Sequence, residues 1–316
     1  MPMLLLSIII AVVFYLVLPG IGAVVVRARW RRFRNDVYHA ASIPRAVYTD
    51  IRAVRDGSVK ERECYFIGRL EALQGDNRIW LRDGNASVEV DMTDTNLIVL
   101  PPYKDSEQSL PPAHGIDFPS ETPDVIPWRQ VTSLTEGSAA FVSGILTSQE
   151  GNAVFARRET IRPLLLLYDG PSEHVLERAV WTGRQRNEYW SLITPLALLS
   201  GMFALSILSM RVLQASYTDG LLTLGLAAIP VLPLLPPGVP GYFLYRNLWR
   251  RGRAHRATRD GLRLMAVSNA RPELNAAAIR RNQRKAVLFE LAAVAVLLAS
   301  VFLNYIVLVR VFALVL

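Results

Sequence analysis

Apolar positions in this chain fall into blocks, and between them lies a stretch that reads as strands. The first block, Met3 to Val26, is a nearly unbroken apolar run of 24 residues. A membrane-spanning helix needs roughly 20. A secretory leader is the competing reading, but no charge precedes the run, it is long, and no small-x-small cleavage site follows. Arg27, Arg29, Arg31, Arg32 and Arg34 come directly after it. Arginines that flank a span stay on the cytoplasmic side, so the N-terminus is expected outside, with the chain entering the cytoplasm after this helix. Pro19, Gly20 and Gly22 predict a bend or the close approach of a neighbour.

From about Asp50 to Gly170 the apolar period changes to two. Val88, Val90 and Met92 alternate with Glu89 and Asp91, the mark of a strand with one buried face. Within this region one pattern occurs twice. Gly68 falls on Gly144, Leu70 on Leu146, Gly75 on Gly151, Ile79 on Val154, Trp80 on Phe155 and Arg82 on Arg157, with one gap where Asp76-Asn77 faces Asn152. Each copy reads as a β-run, a turn in which Gly75 or Gly151 supplies positive φ, and a second β-run. The echo predicts one β unit used twice, with copies at about 50–100 and 127–170. The Pro-rich, acidic segment between them, 101–126, reads as a linker. Leu164 to Tyr168 is a further strand and Ser172 to Ala179 a short helix.

Three more apolar blocks follow: Leu192 to Met210, Leu221 to Tyr245 and Ala286 to Val309. The second of these holds Pro230, Pro233, Pro236, Pro237 and Pro240, so it cannot be one straight helix, and its freed carbonyls must find partners. Trp181 to Trp190 mixes arginines with Trp181, Tyr189 and Trp190, rings that favour the headgroup level. Arg250 and Arg251 stand in a second basic run, and Arg280, Arg281, Arg284 and Lys285 precede the last block. Counted as four spans, the chain keeps its arginine-rich flanks on one side throughout.

The expected fold is an α-helical multi-pass membrane protein of about four spans with an inserted all-β cytoplasmic domain, a tandem repeat of a small OB-like or barrel-like unit. The expected segments are 1–34 for the first helix and its basic flank and 35–180 for the β domain. A transmembrane hairpin over 181–250, a basic connector over 251–285 and the last helix over 286–316 complete the chain. It would lie in the plasma (inner) membrane with both termini outside.

Charge sharpens this division. The chain of 316 residues carries a net +8, yet acidic residues outnumber basic ones between Asp50 and Arg184. The positive balance therefore sits beside the apolar blocks, where anionic lipid attracts it. An acidic β domain argues against nucleic acid as a partner. The single cysteine, Cys64, lies in a predicted strand and reads as a small core residue. The histidines, His39, His114, His174 and His255, have no metal-ligand spacing, and no phosphate loop or nucleophile elbow occurs. No cofactor, metal or catalytic set is expected. His174 and Glu177 read as a surface pair, and the carboxylates Glu89, Asp91 and Asp94 as solvated groups. Glu290 and Asn304, polar residues in the last block, are expected to pack helices together. Arg310 is expected to reach the far interface, with six apolar residues after it.

These features lead to an expected non-enzymatic role: a membrane scaffold or assembly protein presenting its β module to a protein partner or to a second copy, in contact with membrane lipids. Transport or lipid handling through the Pro-broken span is the alternative, and a membrane-face enzyme with a site between the β copies is the third. The arginine placement makes a direct prediction. A reporter inserted between Pro101 and Pro127 should read as cytoplasmic and one between Ala215 and Gly220 as external, and the reverse pair would overturn the orientation.

Overall fold

The computed structural model describes residues 2–315 apart from 75–76, 85, 94, 104–120, 132, 159–160, 186–188, 236–237 and 269–274. Gly75, Asp76, Asn85, Asp94, His114, Arg186, Pro236, Pro237 and most of the Pro-rich linker therefore lie outside the described residues. In chain order the helices are α1 (Pro2–Val12), α2 (Leu18–Ser42), α3 (Tyr48–Arg55), α4 (Val175–Gln185), α5 (Ile193–Ala215), α6 (Tyr217–Ala228), α7 (Val239–Ser268) and α8 (Ala276–Val315). The strands are β1 (Glu61–Gln74), β2 (Arg78–Asp83), β3 (Ala86–Asp91), β4 (Asn96–Val99), β5 (Asp124–Pro127), β6 (Ala139–Gln149), β7 (Asn152–Ala156) and β8 (Leu164–Tyr168). They build two compact units. One takes Met1–Arg31, Asn187–Arg256 and Arg281–Leu316, the other Arg32–Arg186 and Ala257–Arg280.

The first unit is helical. Three helical stretches, Met3–Ser42, Ile193–Ala215 and Ala276–Val311, are long and apolar enough to cross a membrane. The expected third span differs. Proline lacks an N–H and crowds the turn before it, so α6 ends at Ala228, tightens into a 3-10 turn over Ile229–Leu234, and helix resumes only at Val239. What remains there is a shorter apolar helix, Tyr217–Pro233. α7 then runs unbroken to Ser268, through the first part of the expected basic connector. The unit inverts the usual burial pattern. Its buried apolar centre is small, with Ala11, Leu205 and Ala227, while Phe203 is 68% and Met210 70% exposed on α5. An apolar surface of this extent fits membrane association.

The second unit holds one eight-stranded sheet, in which β1 pairs with β2, β2 with β3, β3 with β7, β7 with β6, and β6 back to β1. Those five strands close a ring. β8, β4 and β5 extend the sheet from β6. The two echoing segments do form hairpins, β1–β2 and β6–β7. They do not each build a unit, so the expected tandem becomes a single barrel. The physical reason is strand number: two strands cannot close a barrel, and a lone hairpin leaves both edges unpaired. The closing pair is β1–β6, in which Cys64 faces Gly144 and Gly68 faces Ala140 about the central pair Phe66 and Val142.

Alternation decides what fills the ring. Cys64, Phe66 and Leu70 point inward from β1, Ile79 and Leu81 from β2, Val88 and Val90 from β3, Ala140, Val142 and Leu146 from β6, and Ala153 and Phe155 from β7. Ile51 and Val54 of α3 join the same core. Gly68 permits the tight coiling of β1, since a Cβ there would stand 2.7 Å from the Phe66 ring and 2.8 Å from the Arg82 carbonyl. Gly151 has φ 79°, as its turn requires.

The equivalence of Trp80 and Phe155 fails. Ile79 is fully buried beside a half-buried Trp80, whereas Phe155 is fully buried. Removing the one-residue gap puts Ile79 on Phe155, both facing in. A one-residue slip turns every side chain of a strand to the other face, so the gapped match had crossed the faces. Phe155→Ala should therefore lower stability by roughly 3–5 kcal/mol and Trp80→Ala by clearly less, as followed by circular dichroism during thermal unfolding; equal losses would contradict this assignment of faces.

Candidate functional site

Two polar constellations stand out among the described residues, one in each unit. In the helical unit, α7 and α8 lie antiparallel along a row of small residues. A Cβ at Gly238 would strike the Asn304 amide, one at Gly241 the Ser300 hydroxyl, and one at Gly252 the Glu290 side chain at 2.9 Å. His255 continues the row, with its Nδ1 3.0 Å from Asn282 Oδ1 and its ring stacked on Phe289. Small residues of this kind let helix backbones approach closely.

Two of the polar residues singled out in the last apolar block sit on this seam. Asn304, 2% exposed, donates from Nδ2 to the Leu232 carbonyl at 2.6 Å. Leu232 lies in the 3-10 turn, and its carbonyl also accepts from the Leu235 N–H at 3.1 Å. Asn304 Oδ1 is buried with no hydrogen-bond partner among the described residues. Glu290 forms a two-point ion pair with Arg256, whose side chain, like its own, is mostly shielded. The sequence placed Glu290 one turn past Lys285 but held no signal for which arginine it meets.

The expected membrane-interface set divides. Arg27, Arg29, Arg31, Arg32, Arg250 and Arg251 are exposed, and Trp190 is 55% exposed. Arg27 lies over the Tyr189 ring at 5.7 Å, Tyr189 meets Trp249 edge-on at 5.5 Å, and Trp249 stacks with Tyr245 at 5.8 Å. Trp181 and Arg34, like Arg32, belong to the second unit. Trp181 is half-buried on α4, and Arg34 is buried, so it is not a solvated flank.

Arg34 opens the second constellation. On α2 the buried positions Trp30, Phe33, Val37 and Ala40 recur at helical spacing, and Arg34 falls within that stripe. On α7 Asp260 is fully buried beside Arg259 and receives the Arg259 Nε at 2.7 Å and the Arg184 Nε of α4. Two buried guanidiniums thus share one buried carboxylate. Burial lowers the Arg259 pKa, the neighbouring Arg184 and Arg263 charges push the same way, and Asp260 opposes them. The Tyr38 hydroxyl, one turn along α2 from Arg34, is buried with no partner among the described residues. The only sequence signal for this group was a charge inside an apolar stripe, at Arg34 and again at Asp260 between Ala257 and Leu264.

On the barrel, Glu89 is fully buried on the face away from the core, with Arg78 Nη1 2.7 Å from its Oε1. It was expected to be solvated; the strand pairing places it beside Trp80 and Val154 instead. Cys64 is a buried core residue as its strand position suggested, and burial pushes its thiol up to about 12. His174 and Glu177 lie 3.4 Å apart at the surface. Among the described residues no three His, Cys, Asp or Glu side chains converge where a metal ion would bind. No family model, no curated protein and no solved structure matches this chain.

Glu290→Gln should remove the ion pair with Arg256 and cost about 3 kcal/mol, whereas Asn304→Leu should cost roughly 1–2 kcal/mol. Thermal unfolding in a mild detergent measures both, and an Asn304→Leu protein more resistant than the wild type would show that the bond to Leu232 does not hold the seam.

Proposed function

We propose that the chain is a membrane-embedded scaffold or assembly protein that presents a cytoplasmic OB-like barrel to a protein partner. The observation that carries this reading is the division of labour between the units. One carries an apolar exposed surface suited to lipid. The other is an ordered β module in which no three His, Cys, Asp or Glu side chains converge among the described residues. The two matching hairpins favour duplication as the origin of the barrel.

The α7–α8 seam supports counting the Pro-broken stretch, together with the start of α7, as a fourth crossing. From Gly238 to His255 the two helices run side by side for about 25 Å. Gly225 of α6 meets Tyr305 and Val309 of α8, and Ser7 of α1 bonds Thr223 of α6 at 3.0 Å. On this register Arg250 and Arg251 fall level with the turn of α8 after Glu290. The crossing of α8 then lies in its C-terminal half, and the apolar residues after Arg310 belong to that crossing. The basic side is cytoplasmic by the arginine rule.

A second reading, transport or lipid handling, is favoured by one observation, the partnerless Asn304 oxygen beside a broken helix, where transporters place binding sites. Purification in mild detergent followed by mass spectrometry tests the scaffold role, and a stoichiometric protein partner is expected. Repeated recovery of the chain alone would count against it. Flux or lipid transfer in vesicles that is abolished by Asn304→Ala would move the assignment to the second reading.

A further inference from the structure

At the break between α6 and α7, oxygen acceptors outnumber N–H donors. Pro230, Pro233, Pro236, Pro237 and Pro240 each keep a carbonyl and lack an N–H. The Leu235 N–H is committed to the Leu232 carbonyl at 3.1 Å, and those of Gly238 and Val239 to the Leu235 carbonyl at 2.8 and 3.2 Å. The Pro233 carbonyl is left out, because the residues three and four places on, which a helix would use as its donors, are Pro236 and Pro237. Across the seam Asn304 is 2% exposed, and its Oδ1 has no partner among the described residues.

These acceptors converge. A Cβ at Gly238 would stand 2.9 Å from the Leu232 carbonyl oxygen, 3.1 Å from that of Pro233 and nearer still to the Asn304 amide nitrogen. Glycine leaves that space to the polar atoms. A half-turn of the Asn304 carboxamide exchanges its oxygen and nitrogen with little change of shape, and it brings three oxygens from two segments around one point. The carboxyl end of the helical segment before the break adds partial negative charge there. No carboxylate takes part: Glu290 on α8 and Asp219 on α6 each lie about 20 Å away along their helices. Divalent ions favour carboxylate ligands, whereas unwound carbonyls at the end of a half-helix suit a monovalent cation.

We propose that the break is a site for one monovalent cation of sodium or potassium size, held by Asn304 Oδ1 and the carbonyl oxygens of Leu232 and Pro233. The site shares Asn304 with the transport reading but rests on neither proposed role, since an ion held here serves equally as cargo or as a fixed part of the seam.

The test uses the full chain purified in a neutral detergent. Thermal unfolding is followed while sodium, potassium or choline chloride is varied at constant ionic strength. Sodium or potassium should raise the unfolding temperature saturably over the larger choline, and the ion that acts at the lower concentration is the ligand. A water molecule would satisfy the same acceptors equally in every salt. Asn304→Ala should abolish the difference between salts, whatever its stability in choline. Asn304→Asp keeps the volume, adds a charge and should bind the same ion roughly tenfold more tightly. Unfolding of the wild type that is the same in all three salts, an Asn304→Ala protein that keeps the difference, or an Asn304→Asp protein of unchanged affinity overturns the site. Ion flux in vesicles is read separately, so binding without flux sinks the transport reading and leaves the site standing.

Discussion

Every main-chain N–H and C=O must find a partner or water, and both units are shaped by how they meet that demand. In the sheet the solution is closure. β1 uses its first half against β6 and its last against β2, so neither half of this 14-residue strand is left open. In the helical unit the demand is met along each helix until the prolines interrupt it. There a 3-10 turn takes over, with the Leu235 N–H on the Leu232 carbonyl, and Asn304 reaches across to the same carbonyl. The small residues of α7 follow from that reach, because a bulkier seam would hold α8 too far away.

What the sequence made legible was period and punctuation. The apolar blocks, the switch to alternation near Asp50 and the turn at Gly151 each act within a few residues, and each reappears as a helix, a strand or a turn. The proline break was legible as a break, though the helical length that remained, and hence the number of long spans, was not. Partnership across the chain was the least legible. Nothing local tells that β3 pairs with β7 in parallel, that Glu290 chooses Arg256, or that Asp260 draws in Arg184 from 76 residues away. The pairing of Trp80 with Phe155 failed for a related reason. Their likeness is one of residue type, whereas the face of a strand is set by counting from the turn.

The arginines illustrate how position changes the meaning of a charge. Arg31 and Arg32 are exposed, and Arg34, only two residues on, is buried. Helical geometry makes the difference, since Trp30, Phe33, Arg34 and Val37 share a face that the exposed pair does not. A basic flank read as a uniform patch thus contains two populations. One faces out; the other is built into the protein.

The closing pair of the barrel has a kinetic consequence. It joins Glu61–Arg69 to Ala139–Thr147, so a long stretch of chain must be looped before the ring can form. Loop entropy rises slowly with length, but it is lost before the contacts that offset it are made. During synthesis β1, β2 and β3 leave the ribosome as an open sheet with apolar inner faces, and they stay open until Phe155 has emerged. In a chain with this topology the β segment is the slow part, and its first strands must wait, inner faces uncovered, for their last partners.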